Sequence, residues 1–227
     1  MHRIVEPMRI QTLTLYTSKL PEMADFYARL GFGIEHGQNA FCFAAGSSKV
    51  TFKSGLAPAE YHFTFNVPEH LMQDVLEDLQ QKVDLCPIED GTYFANFYHW
   101  NAHALYFLDP DGSIVEYIGR HNLDHRHETQ PVPLSVSEIG WVTQDVAGTV
   151  SLFKEQFGID HFRPAAENFA PLGTDEGLLI VSQVGRPWYP VGFPAEVLPL
   201  DVEIQTDQGR FLLSVAETTL NIQIRQL

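Results

Sequence analysis

A carboxylate in the middle of an apolar strand is the chemical anomaly of this 227-residue chain. Residues 97–119 read FYHWNAHALYFLDPDGSIVEYIG. Ala102 to Leu108 and Ile114 to Ile118 each alternate around large apolar and aromatic residues, as strands do. Asp109-Pro110-Asp111-Gly112 between them is a turn, because Pro110 presets its own φ and Gly112 tolerates φ > 0. Period-two alternation puts Ile114, Glu116 and Ile118 on one face of the second strand, and Ala104, Tyr106 and Leu108 on one face of the first. A Glu on a buried face requires a partner, a proton or a metal ion. On an edge strand it is simply solvated. The hairpin alone leaves both open.

The elements that must position this hairpin repeat along the chain. Arg9 to Thr17 alternates as a strand, with Leu13 and Leu15 on one face and Thr12, Thr14 and Tyr16 on the other. A helix follows, with Pro21 in its first turn, an apolar stripe of Met23, Phe26, Tyr27 and Leu30, and Gly31 as its stop. Short strands are expected near Phe32 to His36, Ala40 to Ala44 and Lys49 to Lys53. This βαβββ module recurs: a strand from Tyr61 to Val67, a helix opened by Pro68 with Leu71, Met72, Val75, Leu76 and Leu79 as its stripe, a strand near Tyr93 to Tyr98, and the hairpin. The first two modules, side by side, are expected to form a cupped sheet with helices outside, a complete domain over residues 1–120. Residues 121–135 are polar with two prolines and read as a linker. Its His121, His125 and His127 read as a solvated loop.

A third copy follows. Ser137 to Thr143 is its strand, Val146, Val150, Phe153 and Phe157 its helix stripe, and LFKEQFGI echoes FYARLGF of the first module, an internal repeat. Strands near Phe169 to Leu172 and Leu178 to Gln183 complete it. Val202 to Thr206 opens a fourth module with only about 20 residues left, enough for a short helix near Arg210 to Glu217 and a last strand, Leu220 to Arg225. Residues 136–227 thus read as a second, truncated domain. They are expected to pack on the N-terminal part or on a second subunit through the Pro- and aromatic-rich stretch Trp188 to Pro199.

The hairpin resembles the closing hairpin of the vicinal oxygen chelate superfamily, which includes glyoxalase I, bleomycin-binding proteins and extradiol ring-cleaving dioxygenases. There a D-P-x-G turn precedes a metal-ligating Glu on the last strand of a βαβββ module, and Glu116 matches that position. In the extradiol branch a His, a spacer, an apolar residue and Tyr precede the turn. His99, Leu105, Tyr106, Asp109, Pro110 and Gly112 match, while Phe97 departs from the pattern. The resemblance implies an α+β fold of paired βαβββ modules, with metal ligands His62 and Glu116 on the first and last strands of module two. His62 shares its strand face with Thr64 and Asn66, a polar face suited to a cavity. In module one the corresponding positions hold Thr12 and Thr51, so a His ligand is missing, and neutral Thr is a poor substitute for imidazole. Glu138 and Asp201 stand at the first-strand positions of modules three and four. By the same resemblance His99 is an acid/base and Tyr106 a hydrogen-bond donor to substrate oxygens, and the expected cofactor is a divalent metal (Fe, Mn or Zn).

Composition excludes other classes. The net charge of −15 leaves no basic stripe for nucleic acid and disfavours anionic membrane surfaces. No apolar run approaches the roughly 20 residues that span a bilayer, and MHRIVEPMRI has no signal-peptide core. Cys42 and Cys86 read as free thiols, and the expected location is the cytoplasm. The expected partner is a small molecule, with a homodimer one option for assembly. The leading function is a metal-dependent enzyme acting on a small oxygen-rich or aromatic molecule, of extradiol-dioxygenase type, with glyoxalase-type isomerase or lyase chemistry open beside it. The alternative is a metal-free sequestering protein of the bleomycin-resistance type, its acidic cup holding a cationic aromatic compound.

Overall fold

The computed structural model describes residues 7–55, 59–89, 91–216 and 222–227. Module one comprises β1 (Arg9–Thr17), α1 (Leu20–Leu30), β2 (Glu35–Gly37), β3 (Ala40–Ala45) and β4 (Ser48–Ser54). Module two comprises β5 (His62–Val67), α2 (Met72–Gln80), β6 (Ala95–Phe97), β7 (Ala102–Leu108) and β8 (Ile114–Arg120), with 3₁₀ turns at Glu69–Leu71 and Tyr98–Trp100. Module three comprises β9 (Ser135–Thr143), α3 (Val146–Phe157), β10 (Phe169–Thr174) and β11 (Gly177–Gln183). The last part is β12 (Leu200–Thr206), β13 (Gly209–Val215) and β14 (Ile222–Gln226). The α+β class, with βαβββ modules and helices outside a mixed sheet, is as the sequence indicated.

Each helix is held by its apolar stripe. In α1, Met23, Phe26, Tyr27 and Leu30 are buried, and Gly31 closes the helix at φ 106° with its N–H turned back to Tyr27 and Ala28 carbonyls. That left-handed conformation is one a side chain resists. Tyr27 stacks on Phe43 and Phe52 at centroid distances of 5.0 and 5.2 Å, and burying such a ring contributes roughly 2–3 kcal/mol. The Asp145 side chain caps α3 by accepting from the Gly148 N–H at 2.8 Å. Among the described residues, no helix is long and apolar enough to cross a membrane.

Strand pairing departs from the expectation that modules one and two lie side by side. Within modules the first and last strands run parallel: β1 with β4, β5 with β8, β9 with β11. Between modules, β5 pairs antiparallel with β9, and β1 with β12. Module two therefore closes its cup with module three, and module one with the last part of the chain. β1 and β9 meet only at Ile10 and Val136. The stretch from Trp188 to Pro199 lies at the contact, as expected: the Tyr61 hydroxyl donates to the Pro199 carbonyl at 2.6 Å, and Trp188 packs against His62.

The last part also differs in kind. Arg210 to Val215, expected as a helix, is strand β13, paired residue for residue with β12. Asp207 and Gln208 make the tight turn between them, Gly209 opens β13 at φ 127° opposite Thr206, and Phe211, Leu213 and Val215 are buried at period two. Glu217 and Leu220, the expected end of that helix and start of the last strand, lie outside the described residues; Ile222–Gln226 is a strand.

Candidate active site

The register of the sheet assembles the site. Thr64 on β5 stands opposite Glu116 on β8 and opposite Glu138 on β9, while Tyr106 on β7 stands opposite Glu116. Tyr106, Glu116, Thr64 and Glu138 thus form one row across four adjacent strands, facing the hollow of the cup. His62 lies two residues before Thr64 on the same face. Neighbouring strands run about 4.8 Å apart, so two carboxylates one strand apart from each other's neighbour are brought within reach of one imidazole.

His62, Tyr106, Glu116 and Glu138 line a cavity of about 330 Å³. Its walls are aromatic: Phe97, Trp100 and Tyr106 from module two, Phe169, Trp188 and Tyr189 from the second half. Ile118 and Ile180 add aliphatic surface, and His62, Glu116, Glu138 and Arg186 add the polar groups. His62 is 8% exposed, Glu116 3% and Glu138 3%. One ligating atom from each lies within 4.8 Å of the others, and His62 Nε2 is 3.7 Å from Glu116 Oε2. His62 Nδ1 faces the Ile114 carbonyl at 3.4 Å. With the proton on Nδ1, Nε2 turns its lone pair to the cavity, as ligating imidazoles are commonly oriented. The Thr64 hydroxyl donates to Glu116 Oε2 at 2.9 Å, and the Tyr106 hydroxyl hydrogen-bonds the same carboxyl. Arg120, itself 1% exposed, forms an ion pair with Glu138, donates to Ser137 Oγ at 3.1 Å and lies 3.7 Å from Asp175.

These surroundings set the protonation states. Burial lowers His62 to about 4, and the charge of Arg186 adds to this, so the ring is neutral at pH 7. Burial pushes Glu116 up to about 8, and the charge of Glu138 adds to it, against the hydrogen bonds from Thr64 and Tyr106. Burial also raises Glu138, with Arg120 opposing. Burial and the nearby carboxylates push the Tyr106 phenol well above its ordinary value.

The donor set fits a divalent ion. Three buried side chains offer an imidazole nitrogen and two carboxylates, the count a catalytic site of this kind uses. Arg120 pairs with Glu138, and among the described residues no cation pairs with Glu116 except the His62 ring, which is neutral at pH 7.

Of the residues singled out from sequence, His62, Tyr106 and Glu116 come together here. The His99 ring does not: it is exposed on the 3₁₀ turn and outside the cavity wall, and its carbonyl accepts from Arg163 Nε at 2.5 Å. Thr12 and Thr51 lie in the other cup, on β1 and β4. The third donor is Glu138, at the first-strand position of module three. Its signal was in the sequence, and the module pairing that delivers it was not. Thr64 joins the site on the polar face it shares with His62, whereas Arg120 and Arg186 carry no such signal in the sequence. A second group able to hold a metal, Glu69, His103 and His121, sits at the outer end of β7 and β8. There the His103 Nδ1 and His121 Nε2 atoms are 3.2 Å apart.

No family model matches this sequence, and no curated protein sequence does. Solved structures do match in shape. A Bacillus subtilis protein designated a candidate dioxygenase superposes with a TM-score of 0.60 at 13% identity, covering 92% of this chain and 85% of that one. Glyoxalase I from Zea mays superposes at 0.51 and 13% identity, covering 88% and 75%. Its V278E mutant superposes at 0.53 and 15%, with the same coverage. At these identities the likeness concerns architecture, and together with the parallel first and last strands of each βαβββ unit it establishes that the chain has the vicinal oxygen chelate fold.

Proposed function

We propose that the cavity between modules two and three is the active site of a divalent-metal-dependent enzyme acting on a small oxygen-rich or aromatic molecule. The observation that carries this reading is the buried row of Glu116 and Glu138 converging with His62 on one wall of a ring-lined cavity. These three residues would hold the ion, with Fe, Mn or Zn the candidates. When bound there, a divalent ion supplies Lewis acidity that stabilises negative charge developing on substrate oxygens. In the metal-free protein burial holds the Glu116 carboxyl near neutrality, and a bound ion would keep it ionised as a ligand. Thr64 and Tyr106 fix that carboxyl in place, and Arg120 anchors Glu138. The aromatic walls exclude water and hold a flat substrate.

Isomerase or lyase chemistry of the glyoxalase kind, with the proton moved at a carbon beside a carbonyl, is the first reading, because two buried carboxylates at the ion's place supply the base that such chemistry needs. Ring-opening dioxygenation of the extradiol kind is the second reading. Tyr106 in the cavity favours it, while the exposed His99 ring removes its acid/base. The sequestering alternative needs a cation-attracting cup, and Arg186 in the lining with Arg120 on Glu138 disfavours it.

The test is to load the chelator-treated protein with Mn²⁺ or Zn²⁺ in D₂O and supply α-hydroxycarbonyl probes. Deuterium entering beside the carbonyl, lost in Glu116→Gln, is the expected result. Oxygen uptake with a catechol under Fe²⁺, without exchange, would favour the dioxygenase reading. No turnover of either probe class with any of the three metals would contradict the enzymatic assignment.

A further inference from the structure

Arg186 is the charged cavity residue that the row of donors does not use. It follows β11 and lines the cavity beside Trp188. Its guanidinium lies over the Phe169 ring at 4.2 Å, and Nη1 makes one long bond, 3.3 Å, to the carbonyl of the next residue, Pro187. No carboxylate among the described residues pairs with it. Arg120, by contrast, is committed to Glu138 and Ser137. In a chain with 29 acidic and 14 basic residues, nearly every cation can find a carboxylate on the surface. A half-buried guanidinium that has none and lines a cavity is free for an anion from outside. Its planar fork suits a carboxylate bidentately.

We propose that Arg186 is an anion-binding subsite of this cavity and that the molecule bound is a single-ring aromatic carboxylate. This rests on the reading of the cavity as the active site. The carboxylate pairs with Arg186, the ring lies among the aromatic walls, and the oxygen-bearing edge reaches His62 and Glu116. The cavity volume sits at the small end of the range for small-molecule sites, which fits one ring. Phe169, with its ring 4.2 Å from the guanidinium carbon, holds the cation at the cavity wall.

Two probes of one shape separate the charge from everything else: 3,4-dihydroxybenzoate and the neutral 3,4-dihydroxybenzamide. Each is titrated into the full chain, with and without Mn²⁺, by calorimetry and by quenching of tryptophan fluorescence. The acid is expected to bind about tenfold or more tightly than the amide at low salt, as for a hydrogen bond to a charged group. In Arg186→Gln that preference falls to within about twofold, with amide affinity retained, and in Arg186→Lys part of it remains. Equal affinities in wild type, or a preference that survives in Arg186→Gln, overturn the inference. If the probes bind equally yet depend on metal and on His62, the anion subsite is wrong and the active-site reading stands. If neither binds, the anion subsite falls, and deuterium exchange with the α-hydroxycarbonyl probes decides the active-site reading separately.

Discussion

Replacing Glu116 with Gln should change the pH dependence of stability in a way that only a buried, proton-holding carboxyl produces. In the metal-free protein Glu116 is raised from 4.5 to about 8, and His62 is lowered from 6.5 to about 4. A carboxyl whose folded pKa lies above its unfolded value stabilises the fold fully below pH 4.5 and loses that contribution as pH rises through 8. An imidazole whose folded pKa is depressed contributes fully above pH 6.5 and loses that contribution as pH falls through 4. Between pH 4.5 and 6.5 the two slopes oppose one another, and above 6.5 the Glu116 slope stands alone. At roughly 1.4 kcal/mol per pH unit, the window from 6.5 to 8 amounts to about 2 kcal/mol. Gln carries no proton to lose, and its amide oxygen can accept from Thr64 and Tyr106 as the carboxyl does. Urea unfolding of chelator-treated protein, at half-unit steps from pH 4 to 9, compares the two. The wild type should lose about 2 kcal/mol relative to Glu116→Gln between pH 6.5 and 8, with the curves parallel below pH 4.5. Curves that stay parallel throughout would refute the assignment of a buried neutral carboxyl.

Other consequences are equally specific. Arg120→Met leaves Glu138 buried without its cation and should cost about 3–5 kcal/mol in urea unfolding, most of it recovered when Glu138→Gln is added. Gly140→Ala puts a methyl 3.1 Å from Trp188 and 3.3 Å from the His62 carbonyl; it should cost about 1–3 kcal/mol and shift tryptophan emission, and an unchanged spectrum would count against the packing of Trp188 on the site. Residues 1–130 and 131–227, expressed separately, each lose the antiparallel partner of β5 or β9. Neither should unfold cooperatively, and a C-terminal piece melting like the full chain would show that the halves are independent.

The residues themselves were more legible than their company. Glu116 announced itself because period-two alternation put a carboxyl among Ile114, Ile118 and Tyr106, and local alternation survives folding. Glu138 was visible at its first-strand position, yet its place beside His62 depends on β5 choosing β9. That choice is non-local: β1 also offers an alternating strand with buried Leu13 and Leu15, and nothing in either segment says which edge β5 meets. Arg120 stands at the very end of the first domain, against the polar run HNLDHRHETQ, and nothing local marks it as buried, although it closes β8 and is 1% exposed. His99 sits at the expected spacing, but the 3₁₀ turn ending at Asn101, with φ 51°, leaves its ring in solvent. The β13 segment holds apolar residues at 211, 212, 213 and 215, which satisfy helix and strand periods alike over so short a run; the two-residue turn before Gly209 decides for the strand.

The central claim is that His62, Glu116 and Glu138 together hold one divalent ion, and titration with Co²⁺ measures it directly through the visible d–d bands of the bound ion. Wild type should bind one Co²⁺ in the cavity, with bands lost in His62→Ala and in Glu138→Gln and unchanged in the His103→Ala, His121→Ala double variant, which removes the outer group. Bands that persist without His62 and Glu138 and vanish with His103 and His121 would place the metal at the surface and contradict the account.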